Sequence, residues 1–577
     1  MNNIYKSAIL LLVATCCNML SGCKKLLDKE PVDILTEEVL LTDPVVYTSH
    51  LAYLYSQLPF SNFFTDGGKF LSNKTDEIVT TTQNQNNSLV PDTQWWENGY
   101  KLIRSLNNLL ENVPGSSLFP TQEQTDEAVG EIKFIRAFVY YNLAWRYGGV
   151  PIVTSVAPLP KNVDISELYS KRNTELEVFK FIETEMTNAI SMMSTVTSFN
   201  EFRFNKWSAL AYKSSAMLYA ASIAKYGSMQ LNGVIGIPQA EAKHFWEAAR
   251  DAAKEVIDGG VYSLYNERSD KALNFRNLFF DKSAANKERV FVTSYIWPLK
   301  GHSFDRNAEP YSHRGGVGYG SSYCPTLEMV ESYEYLNDRD GSLKMNNGST
   351  PIEYADPAEL FKDKDPRFFA SVLFPGSPWM GTTLKIYARI IKNGQEQDGF
   401  GADGIAQTEA TPTGFYLSKW LDPAPPRPIA TNSSDVDRIY MRYAEVLLNY
   451  AEAQLELGNE PEARMYVNKI RNRAGVNKID DLITMDDYRK ERKIELAFEE
   501  NRYLDLKRWR IYDKVMNNKP TYAIWPVYNI DKNVYTFRTQ MLPAGKYTRN
   551  FSANLYYNQI PVTEIETNPL IVQNPGY

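Results

Sequence analysis

Two blocks of helix-patterned sequence flank a long stretch, about residues 274–430, that is rich in Gly, Pro and aromatics and has few helical runs. A chain patterned this way points to a mainly α fold in which an irregular, loop-rich part is carried on a helical scaffold. The scaffold is expected over about 31–273 and 431–515, with a C-terminal irregular segment at 516–577. Long irregular stretches inside compact proteins usually carry function, because binding residues sit on loops that rigid elements hold in place.

The helical blocks read in some detail. Asp43-Pro44 is a cap followed by Pro at the first helical position, and Leu51, Leu54, Tyr55 and Leu58 continue an apolar stripe. The polar stretch Asn73–Thr93 reads as loop. Trp96, Tyr100, Ile103 and Asn107 recur at helical spacing, which makes Trp96 a core residue. Further helices are expected over Glu131–Tyr147, Asn205–Tyr226, His244–Ile257, Arg438–Leu457 and Glu460–Arg473. One long helix is expected over Met485–Trp509, with Arg and Glu on its outer side. The pair Tyr443–Ala474 resembles a tetratricopeptide unit, with Ala451, Leu455, Gly458 and Ala463 near that pattern's small and apolar positions. Several degenerate units of this kind would build one curved scaffold; an ordinary helical bundle is the alternative.

The N-terminus has a signal-peptide layout over residues 1–22: Lys6, the apolar run Ile9–Val13, then small residues. The run is too short to span a bilayer, which takes about 20 apolar residues. Leu20-Ser21-Gly22-Cys23 resembles a bacterial lipobox, which implies a Cys23 lipid anchor such as palmitate and cleavage before that residue. An ordinary secretory signal is the alternative. Cys16 and Cys17 would leave with the signal and Cys23 would be acylated, so Cys324 has no partner for an intramolecular disulfide and reads as packing. The net charge of −7 gives no basic footprint for nucleic acid.

The usual signatures of cofactor and metal chemistry are missing. Gly316-Val317-Gly318-Tyr319-Gly320 lacks the spacing of a dinucleotide loop and the Lys-Ser/Thr of a phosphate loop. Asp338-Arg339-Asp340-Gly341 has part of a calcium-loop pattern, but Leu336 stands at the first ligand position. His50, His244, His302 and His313 lack zinc-ligand spacing, and no Gly-x-Ser-x-Gly elbow occurs. No cofactor is expected.

Four segments together resemble the SusD/RagB family of outer-membrane lipoproteins. They are Arg136-Ala137-Phe138 through Tyr147-Gly148-Gly149-Val150-Pro151-Ile152; Arg442-Tyr443-Ala444-Glu445 with Ile470-Arg471-Asn472-Arg473-Ala474-Gly475; Glu491 to Glu499 with Arg502, Asp505-Leu506 and Arg508-Trp509; and Ile560-Pro561 with the closing Asn574-Pro575-Gly576-Tyr577. Pro325-Thr326 and Asp365-Pro366-Arg367-Phe368 are weaker echoes. All of them read as scaffold: Arg–carboxylate pairs across helix interfaces, and a turn tucking in the C-terminus. The resemblance implies a SusD-like fold with one domain over 23–577. It implies a lipid-anchored, cell-surface protein of the outer membrane that captures a glycan for a SusC-like TonB-dependent transporter, without catalysis. A peptide-capturing relative of the RagB type is the main alternative. A glycoside hydrolase, which would need two facing carboxylates, and a scaffold binding only proteins are the others.

The ligand residues are expected in the stretch before Pro325-Thr326, at Tyr295, Trp297, His302, Tyr311, His313, Tyr319 and Tyr323. Aromatic rings stack on the C–H faces of sugars, polar groups bond the hydroxyls, and Gly allows close backbone approach. A second candidate group is Phe63, Phe64, Asp76, Asn84 and Gln85, and Trp379 is a third.

Overall fold

The computed structural model describes residues 37–60, 70–81, 95–156, 166, 169–194, 201–315, 320–405, 409–425 and 428–577. Cys23, Phe63, Phe64, Asn84, Gln85 and Tyr319 lie outside them. The chain divides into two compact units. In the smaller, which runs to Gln57 and includes Asn112–Thr125, helix α1 (Pro44–Ser56) starts as its sequence predicts. The Asp43 carboxylate accepts the N–H of Val45 at 2.8 Å and of Val46 at 3.3 Å.

The larger unit covers Leu58–Glu111 and Asp126–Tyr577 and holds the scaffold. Its helices include α2 (Trp95–Asn112), α3 (Gln122–Tyr147), α4 (Glu175–Met192), α5 (Lys206–Tyr226), α6 (Ala242–Gly259) and α7 (Lys271–Leu278). Arg136 of α3 ties three of them together, donating to Glu185 of α4 at 2.5 Å and to Asn107 of α2 at 2.8 Å. Trp96 is buried, as its stripe predicts. Helix α5 packs along α6, and Ala-rich faces (Ala209, Ala216, Ala220, Ala249, Ala253) allow the close approach.

Strand β1 (Arg289–Thr293) then leads into α8 (Phe304–Ala308), β2 (Arg389–Lys392) and β3 (Gln395–Asp398). Strand β4 (Arg438–Arg442) pairs antiparallel with β1 and runs directly into α9 (Tyr443–Glu456). Helix α10 (Glu460–Ala474) follows and ends on Gly475 at φ +80°. Helix α9 packs on both α10 and α6, which gives the tetratricopeptide-like pairing that the spacing predicts. The chain therefore has a mainly α fold, with most of its short strands in the irregular part.

Five expectations are corrected. The expected helix over Arg438–Leu457 begins only at Tyr443, because Arg438–Arg442 is spent on the β1 ladder. The expected long helix over Met485–Trp509 is two, α11 (Met485–Glu495) and α12 (Asn501–Arg508). Between them Phe498 and Glu500 take positive φ, and the Phe498 N–H is drawn to the Glu77 carboxylate at 2.9 Å. The Arg and Glu residues placed on its outer side (Glu491, Arg492, Glu495, Arg502, Asp505, Arg508) are buried in ion pairs. Of the polar loop at Asn73–Thr93, the described part is mostly buried, with Asn73, Thr75, Glu77 and Thr80 inside and Ile78–Val79 paired with Cys324–Pro325. The expected irregular segment at 516–577 includes a regular hairpin, β5 (Tyr522–Asn529) and β6 (Val534–Met541). It completes a sheet in the order β3-β2-β5-β6, with β2 parallel to β5.

The Gly148-Gly149 pair shows why such motifs recur as scaffold. Gly148 has φ +78°, and a Cβ on Gly149 would stand 2.0 Å from the Asn173 carbonyl oxygen. Arg172 donates to the carbonyls of Tyr147, Gly149 and Val572, and Asn574 donates to those of Tyr147 and Asn558, which docks the closing Asn-Pro-Gly-Tyr turn here. Gly149→Ala should lower stability by about 1–3 kcal/mol, because backbone rather than a flexible side chain must move. Chemical denaturation against wild type checks this, and a loss below about 0.5 kcal/mol counts against the close approach.

Candidate functional site

The candidate site is built on the link between β1 and α8. Tyr295 opens it, fully buried, with its N–H donated to Asp437 at 2.9 Å and its carbonyl accepting from Lys282 at 2.8 Å. Ile296 and Lys300 exchange backbone hydrogen bonds of 2.9 and 2.8 Å and close a tight turn; the Trp297–Pro298 peptide within it is cis. His302 and Ser434 pair beyond the turn, where a Cβ on Gly301 would meet the Asn432 carbonyl oxygen at 2.1 Å. Pinned at both ends, the turn carries Ile296, Trp297 and Leu299 into solvent, 59, 47 and 88% exposed. The exposed part of this apolar turn is accessible to a ligand.

Past α8 lies a second accessible group. The Arg314 guanidinium lies over the Tyr311 ring at 4.0 Å and pairs with Glu409 at 2.7 Å. His313 contacts the Ser312 hydroxyl at 2.8 Å through Nδ1 and the Thr382 hydroxyl at 2.9 Å through Nε2. The Ser312 N–H donates to Asp403 at 2.9 Å. This is a stacked ring beside an imidazole, a hydroxyl and a guanidinium, the inventory that recognises a polyhydroxylated ligand. Arg314, Thr382 and Asp403 did not stand out in the sequence, because their roles come from folding together segments about 70–90 residues apart.

Five expected ligand residues prove to be structural. Tyr295 belongs to the core and meets the His302 ring edge-on at 4.7 Å. His302 is buried with Nε2 at 2.9 Å from the Val436 carbonyl, and burial pushes its pKa down to about 4. Tyr323 stacks on Phe304 at 5.5 Å and is enclosed. Trp379 is enclosed as well, donating its indole N–H to Glu309 at 2.8 Å. Asp76 pairs with Arg502 at 2.9 Å and Lys493 at 2.8 Å. Burial would raise the Asp76 carboxyl, but the two cations outweigh it and hold the group well below the usual carboxylate range. The physical reason is common to all five: an aromatic or charged side chain in an irregular segment fills space in the core as readily as it meets a ligand.

A cleft of about 610 Å³ lies elsewhere, between residues 334–339 and 472–481. Its acidic loop is self-contained: Asp338 accepts the Asp340 N–H, and Asp340 accepts the N–H and hydroxyl of Ser342. Among the described residues no group of three or more His, Cys, Asp or Glu is placed to hold a metal ion. No described helix is long and apolar enough to cross a membrane.

Comparison with known proteins gives a consistent likeness. Residues 250–577 match the SusD family, and residues 32–218 match a family described as starch-binding and associating with the outer membrane. Over 608 aligned residues, 99% of each chain, this chain is 24% identical to SusD-like protein P2 of Formosa agariphila. A SusD-like protein of Bacteroides ovatus is 23% identical over 83% of this chain and 80% of its own length. Among solved structures, a SusD-like protein from Bacteroides fragilis superposes with a TM-score of 0.72 at 23% identity, covering 95% of this chain and all of that one. A laminarin-binding SusD-like protein superposes with a TM-score of 0.59 at 19% identity, covering 93% and 100%.

Proposed function

The chain belongs to the SusD family, and from that premise we propose that it is a non-catalytic outer-membrane lipoprotein that captures a neutral glycan at the cell surface and passes it to a SusC-like TonB-dependent transporter. Cys23 would be the lipidated anchor. The observation that carries the reading is the display of Trp297 in water on a turn held rigid at both ends, with Tyr311 and His313 on the same stretch of chain. Rigid aromatic display loses little entropy on binding, and a sugar ring presents the flat C–H face that such a ring takes. Relatives described as carbohydrate-binding, one of them laminarin-binding, support the ligand class.

Calorimetry on the soluble chain, lacking the signal and Cys23, tests this against starch, laminarin, other neutral polysaccharides and peptide digests. Saturable binding to one glycan class is expected. Trp297→Ala should weaken it about tenfold or more while the protein stays folded, since the residue is already 47% exposed. Binding to peptides alone moves the protein to the peptide-capturing branch, and equal affinity in Trp297→Ala removes this turn from the site.

A further inference from the structure

The hairpin β5–β6 carries a second group of rings that the reading above does not use. Tyr528 and Tyr535 stand directly opposite in the register, stacked at 4.6 Å and 24°. Tyr387 lies 5.4 Å from the Tyr528 ring and 6.4 Å from the Tyr535 ring. All three are half-buried, so each leaves part of its surface in water. Tyr528 donates its hydroxyl to the Asn533 side chain at 2.7 Å, which fixes the ring.

Beside them Phe400, 47% exposed, sits between two glycines whose backbones press on the same surface. A Cβ on Gly399 would meet Ile390, the register partner of Tyr528, at 2.7 Å. One on Gly401 would meet the Lys385 carbonyl at 1.9 Å and the Tyr387 ring at 3.0 Å. Only Gly allows that approach.

The same segment joins this surface to the site already described. Gly401 donates its N–H to the Tyr387 carbonyl at 3.1 Å, and Asp403 donates to the Lys385 carbonyl at 3.1 Å. Two residues from Gly401, the Asp403 carboxylate accepts the N–H of Ser312, which lies between Tyr311 and His313. Charges at the tip of the hairpin are engaged within the protein: Asp531 accepts the N–H groups of Asn393 and Gly394, and Lys532 pairs with Glu353 at 2.7 Å. Partly exposed rings with phenolic hydroxyls, and tip charges already engaged, suit a neutral polyol better than an ionic peptide.

We propose that Tyr387, Tyr528 and Tyr535, with Phe400 at their edge, form a second subsite that takes a further stretch of the same glycan, so that the ligand is an extended chain rather than a short sugar. This rests on the glycan-capture reading. Two linked subsites make affinity rise with chain length, because the second contact is made within one complex.

The test is calorimetry with laminarin and starch and with their oligosaccharides of increasing length, on wild type, Tyr387→Ala, Tyr535→Ala and the double variant. Tyr535→Phe controls for the cross-strand packing a tyrosine pair supplies to any hairpin. Wild-type affinity is expected to climb with chain length. The double variant should lose about tenfold for the polymer and keep the wild-type affinity for the shortest ligand that binds. Tyr535→Phe should retain most of the polymer affinity. A double variant that matches wild type on the polymer, or that loses short and long ligands equally, overturns the second subsite and leaves glycan capture standing. A wild type that binds no glycan of any length removes both.

Discussion

Replacing Arg442 with Ala should destabilise the protein by about 3–5 kcal/mol, the range for removing one partner of a buried ion pair. The guanidinium reaches Glu288 at 2.8 Å, Glu495 at 2.6 Å and Glu499 at 2.7 Å, and donates to the Glu495 carbonyl at 2.5 Å. Arg473 joins Glu288 and Glu495, Arg367 joins Glu491 and Glu495, and Lys419 joins Glu499. Burial alone would raise the Glu495 carboxyl, but the Arg473, Arg442 and Arg367 guanidiniums outweigh it and hold the group well below the ordinary range. With Arg442 gone, three buried carboxylates share the cations that remain. Arg442→Lys should recover only part of the loss, since one ammonium cannot fork between three acceptors. Chemical denaturation of both variants is the measurement. A loss under about 1 kcal/mol would mean that Arg473, Arg367 and Lys419 re-pair to cover the vacancy. The network joins β4, α10 and α11 to residues 365–367 and 419 of the loop-rich part, so faster proteolysis of that part should accompany the loss.

The second large effect is a pH dependence of stability at Glu309. This carboxyl is fully enclosed, accepts the Trp379 indole N–H through one oxygen and has no partner among the described residues for the other. Burial pushes its pKa up to about 9, the Trp379 bond opposes this, and the Asp305 and Asp422 carboxylates reinforce it. Asp305 is itself pushed up to about 7 by burial, with the Ser434 hydroxyl opposing and Asp422 adding to the rise. Below the ordinary glutamate value of about 4.3, Glu309 is protonated in folded and unfolded chains alike, and the folded state carries no penalty. Between there and about pH 9 the unfolded chain ionises while the folded one does not, so stability falls as pH rises. Glu309→Gln keeps the acceptor for Trp379 and removes the proton. The variant should match wild type near pH 4 and exceed it by something on the order of 5 kcal/mol at pH 8. Denaturation midpoints for the two proteins that run parallel from pH 5 to 9 would show that Glu309 is ionised in the folded protein.

Much of the scaffold was legible along the chain because helices are local. The Asp43 cap, the Gly260 and Gly475 terminations and the α9–α10 turn follow from residues a few positions apart. The errors came where distant partners compete with local preference. Arg438–Arg442 has helical neighbours and still becomes a strand, because β1 lies about 150 residues away in sequence and beside it in space. The run from Met485 to Trp509 breaks at Phe498 because Glu77 captures its N–H. The hairpin at Tyr522–Met541 did carry a local signal, alternating β-branched and aromatic residues about an Asn- and Asp-containing turn.

The site divides along the same line. The stretch that would present Trp297, Tyr311 and His313 was readable, since a Gly-rich aromatic run cannot form regular helix and needs a scaffold to hold it. Which of its rings face water was not. Tyr295, Tyr323 and Trp379 match Trp297 in composition and neighbourhood, yet Phe304, Glu309 and Asp437 hold them inside while the turn at 296–300 holds Trp297 out. What the sequence by itself determined is the mainly α scaffold and its irregular insertion, set by periodicity and caps that act within a few residues. Only the tertiary structure decided that the Arg and Glu motifs pair in buried ionic networks, and which aromatics are left for a ligand. Burial and pairing depend on contacts between segments tens to hundreds of residues apart, and no local pattern encodes them.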